Sequence, residues 1–118
     1  MKDKNIYLAV VQESNGLIKE YIKEYDLQEF LEDRKTQDAV IRNLELIGQA
    51  LKDYGVDCLT EKLPDIPWSK VTGMRNILVH EYLGVDLTLV WRILKKDLDM
   101  LCEAVEKIAH ETDSDYKF

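Results

Sequence analysis

The sequence predicts an all-α protein, an antiparallel bundle of four main helices plus a short helix. Apolar residues recur at intervals of three and four along most of the chain, and almost nowhere with the alternation of a β-strand. At 118 residues, with no internal repeat and no linker long enough to divide it, the chain suits a single domain over residues 1–118. Because the connections are short, neighbouring helices are expected to be antiparallel.

The first half of the chain contains two predicted helices. The first is expected over residues 5–25, with a kink at Asn15–Gly16, because glycine costs about 1 kcal/mol in a helix interior. A polar connector over residues 26–35 follows. The second helix is expected to begin at a cap on Thr36 and to end at Gly55, a residue suited to a left-handed stop. Its core positions are Val40, Leu44, Ile47, Leu51 and Tyr54.

The second half contains a shorter helix and a long final one. Pro67 suits the first turn of the shorter helix, which has Trp68 as an apolar anchor and is expected to end near Gly84. Asp86 is the expected cap of the final helix, and the acidic tail, about residues 111–118, is expected to be frayed. The final helix has a long apolar stripe: Leu87, Trp91, Leu94, Leu98, Leu101, Val105 and Ile108.

Some apolar residues lie beyond a single core-facing stripe. Ile41 and Leu46 lie on the second helix, and Val90 and Ile93 lie on the last one. They indicate either a generous core or a second apolar face used to form a homodimer, and the sequence pattern does not choose between the two.

Composition limits the classes of function. The chain has 23 acidic against 16 basic residues and a formal charge of −7, which argues against a general nucleic-acid binder. Cys58 and Cys102 fit no zinc spacing and are expected to be buried or half-buried thiols. Because no apolar stretch is long enough for a signal peptide or a membrane span, a soluble cytoplasmic protein is expected.

The residues best suited to chemistry lie in one short segment. At about 100° per residue, Asn76 and His80 share a helix face, and Arg75 and Tyr82 share the next. Arg75 and His80 lie about 140° apart, a gap that the length of arginine, a break in the helix or a second subunit could bridge. Arginine binds phosphate and stabilises transition-state charge, and histidine transfers protons near neutral pH. Together they suffice for metal-independent RNA cleavage, although a satisfied histidine with a structural role remains the alternative. The other histidine, His110, is expected to interact with a helix C-terminus rather than to bind a metal with Glu106.

Three segments together resemble one known family. They are TQDAVIRNLELIGQA at Thr36–Ala50, LPDIPW at Leu63–Trp68 and GMRNILVHEYLGVDLTLVW at Gly73–Trp91. Their order and spacing are similar to those of the HepT-like toxins of the HEPN superfamily. The last segment contains that family's pattern of Arg, four residues, His, one residue and Tyr, which Arg75, His80 and Tyr82 match.

The resemblance implies a HEPN-like homodimer in which the two motif helices meet across a cleft. It implies the toxin of a toxin–antitoxin pair, an endoribonuclease with Arg75 and His80 as catalytic residues and Asn76 as a supporting residue. The expected partner is an MntA-like minimal nucleotidyltransferase antitoxin, which would transfer AMP to Tyr82. Such a modification would place negative charge and bulk beside the RNA phosphate site.

The resemblance also defines which partners to expect. RNA is the expected substrate, and no cofactor, metal, membrane or DNA is expected. The alternative is a non-catalytic HEPN module that binds nucleotide or RNA and regulates a partner protein. On either interpretation, the net charge of −7 predicts that RNA binds in a local cleft and not across the whole outer surface.

Overall fold

The computed structural model describes the backbone of residues 4–69, 71–73 and 86–115, and the side chains of these ranges as far as residue 110. Throughout these ranges the secondary structure is helical, without a β-strand, which confirms the all-α class predicted from sequence. The helices, numbered in chain order, are α1 (Asn5–Tyr21), α2 (Leu27–Glu32), α3 (Arg34–Tyr54), α4 (Val56–Lys62), α5 (Leu87–Lys96) and α6 (Leu98–Asp115).

The most extensive packing joins α1 and α3. Each helix presents a stripe of aliphatic side chains that is almost completely removed from water. The pair is antiparallel, since the ammonium of Lys4 at the start of α1 lies 5.3 Å from the ring centre of Tyr54 at the end of α3. Because full burial of one such aliphatic side chain contributes about 1.5–3 kcal/mol, this seam dominates the core. The buried aliphatic residues of the seam are Leu8, Val11, Ile18, Val40, Leu44, Ile47 and Leu51.

The predicted kink at Asn15–Gly16 is wrong, because α1 continues through both residues as one helix. Asn15 occupies a core position between Val11 and Ile18 and is 1% exposed. Neither polar atom of its carboxamide has a hydrogen-bond partner among the described residues. Gly16 points outward with nothing near the position of a Cβ atom, so the helix tolerates it without bending. Among the buried amides of α1 and α3, Asn15 therefore lacks a described hydrogen-bond partner, which costs about 1–3 kcal/mol.

α1 is also shorter than predicted, and the expected connector contains a helix of its own. The chain turns after Tyr21, and Glu24 adopts a φ of 66° before α2 begins. Asp26 and Glu29 form a reciprocal capping box, in which each side chain accepts a hydrogen bond from the other residue's backbone N–H. Phe30 is fully buried and lies 5.2 Å from the Trp91 ring, centre to centre, so α2 is held against α5.

The cap of α3 is Asp33, not Thr36 as the sequence predicts. The Asp33 carboxylate accepts hydrogen bonds from the Thr36 backbone N–H (3.1 Å) and the Thr36 hydroxyl (2.8 Å). It also accepts one from the Tyr25 hydroxyl at 2.6 Å. The Tyr25 hydrogen bond, followed by those from Thr36, lowers the pKa of Asp33 from 3.8 to about 2. The Asp33 carboxylate thus connects the start of α3 to Tyr25, which lies in the segment between α1 and α2.

The end of α3 is as predicted, and a short helix follows it directly. Gly55 adopts a φ of 116°, a conformation that favours glycine, and stops the helix. Residues 56–62 form α4, a helix that was not predicted from the sequence. Its Leu59 side chain is fully buried.

The predicted final helix is divided in two. Asp86 caps its start as expected, and its stripe lies in or against the core, but α5 ends at Lys96 and α6 begins at Leu98. α6 packs against α1 and continues to Asp115, within the tail predicted to be frayed. The predicted shorter helix begins as expected, with helical backbone at 68–69 and 71–73. Its predicted end near Gly84 lies outside the described residues.

The hydrogen bonds on Asp33 predict a specific dependence of stability on pH. Because its folded-state pKa lies below 3.8, the ionised carboxylate stabilises the fold above about pH 4. This contribution is lost as the pH falls from 3.8 to about 2. We expect Asp33→Asn to destabilise the protein at pH 7 and to flatten the loss of stability in that window, measured by urea unfolding at a series of pH values.

Asp65 provides the matched control, since it is exposed and makes no hydrogen bond or ion pair in the described part of the chain. Asp65→Asn should leave both stability and its pH dependence nearly unchanged. Equal pH dependence in the wild type and Asp33→Asn would contradict the role of this carboxylate.

Candidate functional site

The segment that leads into the Arg-x4-His-x-Tyr motif is fixed by a buried tryptophan. Trp68 is 1% exposed, and its indole N–H donates a hydrogen bond of 2.9 Å to the Leu63 carbonyl oxygen. The Trp68 backbone N–H donates to the Ile66 carbonyl oxygen at 2.8 Å, and the Val71 N–H donates to the Pro67 carbonyl oxygen at 3.1 Å. These contacts hold both sides of Pro67 and set where the helical backbone after it begins.

The segment that leaves the motif is fixed by a helix cap. Oδ1 of Asp86 accepts hydrogen bonds from the backbone N–H groups of Thr88 and Leu89, both at 3.1 Å. Two of the N–H groups that a helix start leaves without an intrahelical partner are thereby satisfied. The motif is therefore bounded by a tryptophan anchor on one side and a capped helix on the other.

The four residues predicted to carry the chemistry lie outside the described residues. Arg75, Asn76, His80 and Tyr82 all fall between residues 73 and 86. The described structure fixes where the chain enters and leaves this segment, and the roles of the four side chains remain predictions.

An apolar groove of about 240 Å³ borders the entry to the motif. Val71 forms part of its wall, two residues before the described backbone stops at Gly73. Asp97 is the charged residue among its described lining. The other lining residues described are Leu44, Ile47, Ile66, Pro67, Ile93, Leu98, Met100 and Leu101.

The four apolar residues beyond the predicted stripes have different environments. Val90 is 2% exposed and belongs to the core, and Ile41 packs against the core half-buried. Ile93 is half-buried and lines the groove, and Leu46 is half-buried on α3. A larger core therefore accounts for Val90 and Ile41, and the homodimer remains a prediction.

The other candidate groups of the sequence are His110 and the two cysteines, Cys58 and Cys102. The prediction that His110 interacts with a helix C-terminus is wrong, because α6 continues to Asp115 and has no basic residue in its last turn. His110 is exposed on α6 beside Glu106, within a shallow depression also formed by Glu103 and Lys107. Across the described ranges, no three His, Cys, Asp or Glu residues are grouped as metal ligands. Cys58 and Cys102 are half-buried free thiols, as predicted.

α5 has a cationic face that was not predicted from the sequence. Arg92, Lys95 and Lys96 are exposed, whereas Val90 and Leu94 on the same helix are buried. The Lys95 ammonium lies 5.0 Å from the centre of the Trp91 ring, close enough for a cation–π interaction. The sequence contains a signal for this face, since the segment LTLVWRILKK has three cations and no acidic residue in a chain of net charge −7.

Of the helices described, none combines the length and apolar character needed to cross a membrane.

Comparisons with known proteins identify relatives along nearly the whole chain. A family profile described as "Ribonuclease HepT-like" matches residues 11–108. A Methanocaldococcus jannaschii protein named "Gamma-glutamylcyclotransferase and putative RNase MJ0434" is 44% identical over 95% of this chain, which spans only 50% of that protein. "Probable ribonuclease HepT" of Thermococcus cleftensis is 41% identical over 86% of this chain and 92% of its own length. "Putative RNase MJ1380" of M. jannaschii is 38% identical over 89% of this chain and 95% of its own length. No solved structure matches the chain significantly.

The contacts of Trp68 predict a large effect of its removal. Trp68→Ala should lower the free energy of unfolding by about 3–5 kcal/mol, because it leaves a cavity where the indole was fully buried. Trp91→Ala is the matched control and should cost less, since Trp91 is only half-buried. Urea unfolding followed by circular dichroism measures both. Equal losses would show that Trp68 does not anchor this segment as its burial implies.

Proposed function

Because this chain belongs to the HepT-like ribonuclease family, we propose that it is a metal-independent endoribonuclease with Arg75 and His80 as its catalytic residues. The observation that carries the proposal is the family match over residues 11–108, which includes the Arg-x4-His-x-Tyr spacing. The relatives named above as ribonucleases support the same activity.

The proposed reaction needs only groups that this motif supplies. His80 accepts the proton of a ribose 2′-hydroxyl, and the resulting oxygen attacks the adjacent phosphorus. The bond from phosphorus to the 5′-oxygen breaks, and a protonated histidine donates a proton to that oxygen. The products are a 2′,3′-cyclic phosphate and a 5′-hydroxyl end. Arg75 stabilises the charge that develops on the non-bridging oxygens, and Asn76 orients His80 from one helical turn away.

We propose that the active form is a homodimer. Two motif segments meeting across a cleft would bring Arg75 and His80 of both copies to one scissile phosphate, which would bridge the angular gap of about 140° within one helix. The half-buried Ile93 and Leu46 are apolar residues that could contribute to such an interface.

We further propose that the chain is the toxin of a toxin–antitoxin pair and that a minimal nucleotidyltransferase antitoxin silences it. The Tyr82 hydroxyl would attack the α-phosphorus of ATP, forming a phosphodiester to AMP and releasing pyrophosphate. The added phosphate would repel the RNA phosphate from the Arg75 site, and the added nucleoside would block access to His80.

Replacement of the catalytic residues tests the reaction directly. His80→Ala and Arg75→Ala should each lower RNA cleavage in EDTA by about a hundredfold or more, because each removes a proton-transfer or charge-stabilising group. Cleavage is measured on labelled RNA, with end-group analysis for the cyclic phosphate.

His110→Ala and Arg34→Ala are matched controls, since both residues are exposed and lie outside the motif. Both should cleave as the wild type does. Undiminished cleavage by His80→Ala would refute the mechanism, and RNA binding without cleavage by the wild type would favour a non-catalytic binding module.

Intact-mass measurement tests the modification. Incubation with the nucleotidyltransferase and ATP should add the mass of one or more AMP units and abolish cleavage. Tyr82→Phe should gain no mass, because it lacks the acceptor oxygen. Tyr21→Phe, altered at a 37% exposed tyrosine of α1, should be modified as the wild type is. AMP that persists on Tyr82→Phe would place the modification elsewhere.

A further inference from the structure

The basic residues of this acidic chain are unevenly distributed among its helices. α5 contains Arg92, Lys95 and Lys96 and no acidic residue, whereas the chain as a whole has a formal charge of −7. On α6, which follows immediately, Asp99, Glu103 and Glu106 are exposed. Between its acidic caps, Asp86 and Asp97, α5 is therefore positive, and the helix after it is negative.

The three cations share one side of α5. At about 100° per residue, they fall within an arc of about 100°. Val90 and Leu94 are buried on the opposite side, at 2% and 5% exposure, so packing of this side against the core directs the cations outward. We refer to Arg92, Lys95 and Lys96 together as the α5 cationic face.

The α5 cationic face is not neutralised by ion pairs within the described ranges. The ion pairs found there are Lys19–Asp99, at 2.8 Å, and Arg34–Asp38, at 3.9 Å. Asp99 lies one helical turn beyond Lys95, and its carboxylate is hydrogen-bonded to Lys19. The Lys19 contact and, as a smaller effect, the charge of Lys95 lower the pKa of Asp99, but no ion pair joins Lys95 and Asp99 in the described ranges. Lys95 itself is held against the Trp91 ring. The face therefore presents three cations to solvent.

The α5 cationic face also lies directly downstream of the motif. Asp86 caps α5 only four residues after Tyr82. Arg92 lies six residues beyond Asp86, about 9 Å along the helix, and Lys96 lies about 15 Å along it. All three cations therefore lie within about 15 Å, along the helix, of Asp86, where the chain leaves the motif segment.

We propose that the α5 cationic face binds the phosphates of single-stranded RNA that flank the scissile bond. This inference rests on the proposed ribonuclease function. Arg92, Lys95 and Lys96 neutralise backbone phosphates and contribute affinity without reading bases. The exposed acidic residues of α6 repel the strand beyond this point, so the flanking RNA lies along α5 and not along α6.

Binding measurements test the inference in a background that cannot cleave. In His80→Ala, the triple replacement Arg92→Gln, Lys95→Gln, Lys96→Gln should weaken binding of a labelled single-stranded RNA by about tenfold at low salt. The slope of log Kd against log salt should fall by about 2, because three phosphate contacts are lost.

The matched control removes the same charge elsewhere. Lys23→Gln, Lys52→Gln, Lys62→Gln alters three exposed lysines outside α5 and should keep both the affinity and the salt slope of His80→Ala. Circular dichroism melting establishes that both triple variants are folded. Equal weakening by the two triples would attribute the effect to net charge and overturn the proposal.

Cleavage kinetics provide a second readout with Arg75 and His80 intact. The ratio of kcat/KM for an oligonucleotide to that for a dinucleoside monophosphate should fall about tenfold in the α5 triple, because the short substrate has only the scissile phosphate.

An unchanged ratio and salt slope would overturn the inference while leaving the ribonuclease function intact. Absence of cleavage by the wild type would refute the function itself. Loss of nucleotidyltransferase binding with unchanged RNA binding would make this face a protein-docking surface and overturn the inference.

Discussion

The antiparallel contact between α1 and α3 is the interaction on which the rest of the molecule depends. Its aliphatic stripes are almost fully removed from water, and the remaining described elements are arranged around it. α2 connects the two helices at one end, α4 continues from α3 at the other, and α6 packs along α1. With this frame in place, burial of Trp68 and the cap at Asp86 set the two points between which the motif must lie.

The sequence predicted those parts of the fold that depend on neighbours along the chain. Apolar periodicity predicted α1 and α3, and Gly55 predicted the end of α3, because these signals are local. The cap at Asp33 was missed in favour of Thr36, since Asp33 gains its advantage partly from Tyr25, eight residues away. α2 was missed because six residues with only Phe30 fully buried give too short a pattern. The break at Asp97 has no glycine or proline to mark it.

The candidate site was only partly predictable from the sequence. The spacing of arginine, histidine and tyrosine predicted the motif, and the family match over residues 11–108 spans the segment that contains it. The net charge of −7 argued against nucleic-acid binding, because a sum over 118 residues hides how the charges are distributed. The cluster of Arg92, Lys95 and Lys96 is visible in the sequence, and burial of Val90 and Leu94 shows that this cluster faces solvent. Arg92, Lys95 and Lys96 thus form a locally basic surface in a chain whose net charge is acidic.

The break at Asp97 separates the basic helix α5 from the acidic helix α6, and this separation has a consequence for both. Each helix has its own dipole, positive at the N-terminus and negative at the C-terminus. Because α5 ends at Lys96, Lys95 and Lys96 lie in its last turn, where the dipole favours cations. Because α6 begins at Leu98, Asp99 lies in its first turn, where the dipole favours an anion. In one unbroken helix the same three charges would be interior and would gain nothing from the helix ends. The division of this helix therefore lets a basic and an acidic segment adjoin, with each charge stabilising the helix that contains it.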